Sequence, residues 1–76
     1  MADMDTATDR VAHPTAQKLV SHFGGIRQTA EAFGLHRETV RLWLERGLPL
    51  DRVIEIEERS EGVVTAEEII RERKAA

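Results

Sequence analysis

Arg37, Glu38, Thr39, Arg41 and Leu42 lie within six consecutive positions and bring together two guanidinium groups, a carboxylate, a hydroxyl and an apolar side chain. Arg37 and Arg41 stand one helical turn apart, so in a helix both leave from the same side. A guanidinium donates two hydrogen bonds to guanine O6 and N7, a carboxylate accepts from cytosine N4, and an apolar group meets the thymine methyl. The chemistry on offer is the reading of base edges in a duplex groove. Each residue also has an ordinary reading. Arg41 precedes Glu45 by four residues, the spacing of a surface ion pair. Glu38 is either a discriminator against wrong sequences or a first-turn carboxylate favoured by the helix dipole. Leu42 either faces thymine methyls or is not exposed at all.

Bond-making chemistry finds little material elsewhere. The absence of cysteine removes disulfides, thiol nucleophiles and cysteine-ligated zinc. His13, His22 and His36 share no metal-ligand spacing, and Ser21 and Ser60 sit in no nucleophile motif. Gly24 and Gly25 are not followed by the residues of a phosphate-binding loop. The carboxylates of Glu55, Glu57, Glu58 and Glu61 read as a solvated helix face. No catalytic residue, metal, cofactor or small-molecule substrate is expected.

Base reading requires a helix that keeps one face inside and one face out. Ala30, Gly34, Val40 and Trp43 predict it: Ala30 permits close helix approach, Gly34 ends one helix in the left-handed conformation, and Val40 and Trp43 share the inner side of the next. This is a helix-turn-helix pattern, whose second helix has its outer side free for a major groove. Before it, Pro14 opens a helix with Ala16, Leu19, Val20 and Phe23 in one stripe, stopped by Gly24 and Gly25. The second helix is expected from about Ile26 to Phe33 and the third from about Arg37 to Arg46, closed by Gly47. Pro49 opens a fourth, with Leu50, Val53 and Ile54 inward. Thr65 and Glu68 form a capping box for a fifth, running to about Lys74. The fold class is a small all-α bundle of about five helices.

The chain has 76 residues, and so small a domain buries a limited share of its surface, which makes a partner subunit plausible. The net charge is -3, yet residues 15–47 hold five basic and three acidic side chains and form the net-basic section. Non-specific affinity for DNA should therefore be weak, and specific contacts must carry recognition. Residues 1–13 read as a mobile acidic tail, 14–62 as the helix-turn-helix domain, and 63–76 as a C-terminal segment and helix suited to dimerisation. There is no run of membrane-spanning length and no signal peptide, so a cytoplasmic location is expected.

The stretch HFGGIRQTAEAFGLHRETVRLWLERGLPLDRVIEIE resembles the Cro repressors of lambdoid phages and the related YdaS-type antitoxins, and VVTAEEI is similar to the segment that follows their fourth helix. The resemblance covers His22 to about Ser60, roughly half the chain. It departs at Thr29, where an aliphatic residue is common, and at His36, where Ser or Thr usually caps the third helix. A regulator of this kind implies double-stranded DNA as partner, with Arg37, Glu38, Thr39, Arg41 and Leu42 toward the bases. Arg27, Gln28 and Arg46 would then touch phosphates. A homodimer on a palindrome is the economical arrangement, using Ile56, Val63, Val64, Ile69 and Ile70, unless the fifth helix folds back on its own core. The other class is an antitoxin or phage-encoded interaction module that offers its acidic C-terminal half to a protein partner such as a toxin.

Overall fold

A computed structural model describes residues 13–75, so the expected N-terminal tail falls outside the described residues but for His13. Pro14 occupies the first turn of α1 (Pro14–Phe23), where its missing N–H costs nothing, and buries Thr15, Ala16, Leu19 and Val20. Gly24 then turns the chain into α2 (Ile26–Phe33), whose inner side carries Thr29, Ala30 and Phe33. Gly34 adopts φ 66° and releases the chain toward α3 (Arg37–Arg46). After Gly47, a single 3-10 turn (Leu50–Arg52) leads into α4 (Val53–Arg59), and α5 (Ala66–Ala75) completes an all-α fold with no strand among the described residues.

α2 packs on α3 and α1 covers both, while α5 lies against α1 and α4. One continuous core joins Leu19, Phe33, Val40, Trp43, Leu48, Ile56, Val64 and Ile69, drawn from every α-helix and from two connections. Phe23, Phe33 and Trp43 meet edge to face at centroid separations of 5.7 and 5.5 Å, which links α1, α2 and α3 through ring contacts. Trp43 is thereby part of the core. Thr29 is fully buried, yet its hydroxyl donates to the Gly25 carbonyl at 2.7 Å, so a polar residue at an expected aliphatic position leaves no unmet bond.

Three expectations are corrected by this packing. The inner face of the fourth helix is Val53 and Ile56, because the chain enters it through a 3-10 turn; Leu50 and Ile54 are 51% and 62% exposed. Of the five residues assigned to a dimer surface, Ile56, Val64 and Ile69 are at most 1% exposed and fill the chain's own core. They have no area to offer a second copy while the fold is intact. Val63 and Ile70 remain exposed.

The third correction concerns the acidic face of α4. Glu57 accepts the Ala66 N–H at 2.8 Å, and Glu55 takes Arg52 at 3.1 Å and Arg59 at 3.0 Å. These two carboxylates hold elements in place instead of only facing solvent. Glu57 joins the capping box in which Thr65 and Glu68 exchange bonds of 3.0 and 3.1 Å, so α5 starts with its first donors satisfied. Among the described residues no helix is long and apolar enough to cross a membrane.

Candidate nucleic-acid interface

α3 carries the residues singled out for base reading, and its orientation follows from Val40 and Trp43, both buried against α2 and α1. With those two inward, Arg37, Glu38 and Arg41 are exposed on the far side, while Thr39 and Leu42 are half-buried. Leu42 is not among the side chains packed on the core, so its apolar surface remains beside the exposed face. Arg46 is exposed in the last turn.

His36 precedes α3 and its ring Nδ1 accepts the Glu38 N–H at 3.1 Å. The imidazole thus performs the capping bond that Ser or Thr would make, and the start of α3 is not left weak. Glu38 is held from a second direction. Arg41 donates to its two carboxylate oxygens at 2.6 and 3.3 Å, and the other terminal nitrogen of Arg41 lies 3.6 Å from Glu45. The Arg41 hydrogen bond, followed by its charge, keeps the Glu38 carboxyl below the usual carboxylate range. Hydrogen bonding to Glu38 and the charges of Glu38 and Glu45 push Arg41 up. Both groups stay ionised.

Arg37 makes no ion pair with a described residue. It faces Arg27 across a groove of about 410 Å3 lined by Ile26, Arg27, His36, Arg37, Glu38 and Arg41. A neighbouring hollow of about 280 Å3 continues past Arg27 and Arg37 to Ala30 and Leu35. Three guanidiniums and an imidazole therefore converge where the starts of α2 and α3 meet, against a single carboxylate. Arg27 is loosely tied to Glu31 at 3.7 Å, with both side chains at least 70% exposed, an attachment too weak to withhold it from an anion. Gln28 turns back over the Gly24–Gly25 connection, its side-chain oxygen 2.9 Å from where a Gly25 Cβ would stand. Arg46, at the opposite end of α3, is not part of this groove.

Arg59 was not singled out by its sequence position. Its guanidinium donates to the Ala32 carbonyl at 3.1 Å and lies 5.7 Å from the centre of the Phe33 ring, so a side chain of α4 closes the end of α2 just ahead of the turn. A separation of 27 residues leaves no local signal for this contact. The capping role of His36 had one: a side-chain acceptor immediately before a helix.

No group of three or more metal-ligating side chains occurs among the described residues. No curated protein and no solved structure matches the chain. Residues 15–74, which take in nearly all of the five helices, match the family described as DNA-binding transcriptional regulator Cro, and the chain therefore belongs to the Cro family of DNA-binding transcriptional regulators.

Proposed function

We propose that this regulator is a sequence-specific repressor that lays α3 in the major groove of a palindromic operator and excludes polymerase by occupying it. Arg37 leads, reading a guanine from the first turn of α3. Glu38, Thr39 and Leu42 complete the base-facing set, with Arg41 beside Glu38 on the same face, and Arg27 and Gln28 at the start of α2, with Arg46, meet phosphates. The observation that carries this reading is the convergence of Arg27, His36, Arg37 and Arg41 on one groove beside an outward helix face. In a chain of net charge -3, three guanidinium groups on one groove mark the face an anionic duplex would meet.

One helix reads only a few base pairs, so a two-fold homodimer with half-sites about one DNA turn apart supplies the remaining specificity. Residues 14–62 are the DNA-reading unit, Val64 and Ile69 of the C-terminal segment seal its core, and Val63 and Ile70 are the expected interface residues still exposed for a second copy. The protein would act in the cytoplasm, and a phage or prophage origin suits a Cro-type repressor. An antitoxin role through the acidic C-terminal half has less to work with: Glu55, Glu57, Glu68 and Glu72 are engaged inside the chain.

Selection of bound duplexes from a random library at near-physiological salt tests the reading. An enriched palindrome that is lost in Arg37→Ala is expected. Absence of enrichment, or enrichment indifferent to Arg37, would remove α3 from the bases.

A further inference from the structure

We infer that Arg41 does not read a base but positions the Glu38 carboxylate, and that Glu38 is the specificity-determining residue that requires an amino group, from cytosine or adenine, at one position of the half-site. The inference rests on the major-groove reading above.

The geometry divides the exposed face of α3 into two unequal parts. Arg37 has its donors unspent on any described carboxylate, whereas Arg41 has Nε and one terminal nitrogen on Glu38 and the other terminal nitrogen beside Glu45. Drawing Arg41 onto a guanine would loosen its hold on two carboxylates next to the phosphates. Kept in place, it spares the duplex that repulsion. The side chains of this pair are more than half exposed, so its contribution to stability is small and its effect is geometrical.

Glu38 is held at both ends. His36 accepts its backbone N–H at 3.1 Å and Arg41 takes one lone pair on each carboxylate oxygen. Each oxygen retains another lone pair, and an ionised carboxylate can only accept. In the major groove only cytosine N4 and adenine N6 donate, while guanine presents O6 and N7 and thymine presents O4. The fixed carboxylate thus accepts two bases and repels the other two. Such a group costs affinity on every wrong sequence, which is how a chain of net charge -3 with one basic section separates its operator from bulk DNA.

The test measures binding of the selected operator and of single-base-pair replacements across its half-site, with wild type, Glu38→Gln, Arg41→Ala and the double variant. Glu38→Gln is expected to flatten preference at one position by on the order of tenfold and to tighten binding to unrelated duplex. Arg41→Ala should flatten that same position and no other, and the double variant should match Glu38→Gln. Loss of preference at a separate position in Arg41→Ala would show that Arg41 reads its own base and overturn the inference. So would a uniform change in affinity for Glu38→Gln. Should Arg37→Ala still abolish a base preference in either case, the placement of α3 stands and only the division of roles falls.

Discussion

The Glu72 carboxylate accepts the Thr15 N–H at 2.8 Å, joining residues 57 apart in the chain. α1 has no side-chain cap of its own, so a carboxylate from α5 supplies the acceptor and a negative charge where the helix dipole favours one. His13 stands 3.5 Å from the other Glu72 oxygen, and Lys18 reaches Glu68 at 2.7 Å one turn along. Glu72→Ala is expected to lower stability by about 1–2 kcal/mol in urea titrations, by the usual cost of losing a cap. The DNA affinity of the folded variant should not change, since α5 does not line the groove beside α3. An unaltered urea midpoint would mean the contact contributes nothing.

Two glycines with positive φ should respond differently to alanine. Gly34 has φ 66° and open space around an added Cβ, so Gly34→Ala should cost about 1–2 kcal/mol from left-handed strain alone. At Gly47, φ is 97° and the Cβ would come within 2.9 Å of His13 Nδ1 and 3.6 Å of the Arg73 guanidinium. Gly47→Ala should therefore cost more, and His13→Ala in the same chain should recover the excess but not the strain. Thermal unfolding of the four proteins checks this; equal losses at both glycines would deny the close approach of His13.

Acid should loosen the clamp between α1 and α5. The Lys18 hydrogen bond, with the Thr65 amide next, holds the Glu68 carboxyl below the usual carboxylate range. A carboxyl whose folded pKa lies below its unfolded one stabilises fully above the unfolded value, about 4.3, and loses that contribution as pH falls through the folded value. Glu38 titrates in the same sense. Glu68→Gln should thus be less stable than wild type near neutrality, with the gap narrowing toward about pH 3. The effect is modest, because the Glu68 side chain is 39% exposed and solvent screens the pair. Urea midpoints at the two pH values decide it; a gap that is constant or widens in acid would assign the loss to packing.

Core and surface isoleucines separate folding from self-association. Ile56 is 0% exposed, and Ile56→Ala should cost about 2–5 kcal/mol, much of what so small a domain has. Ile70 is 41% exposed, and Ile70→Asp combined with Val63→Asp should leave the urea midpoint nearly in place while lowering self-association in sedimentation. Unchanged sedimentation would take both residues out of the proposed interface.

Local signals in the sequence determined the helices and their order. Pro14, Gly24, Gly34, Gly47 and the Thr65–Glu68 box act within a turn of their own positions, and the α2 and α3 boundaries expected from them coincide with the observed ones. The inward placing of Val40 and Trp43 was equally legible, since a helical period leaves them one side only. The inner face of α4 was not, because a 3-10 turn in place of the first α-helical turn shifts the register by which Leu50 and Ile54 were judged. What only the tertiary structure decided are partners distant in sequence: Glu72 on α1, Arg59 on the end of α2, Glu57 on the start of α5, and Val64 and Ile69 in the core. Apolarity alone does not say whether a side chain meets its own core or a second copy. That choice depends on where α5 lands, and its landing is set by contacts that no local spacing encodes.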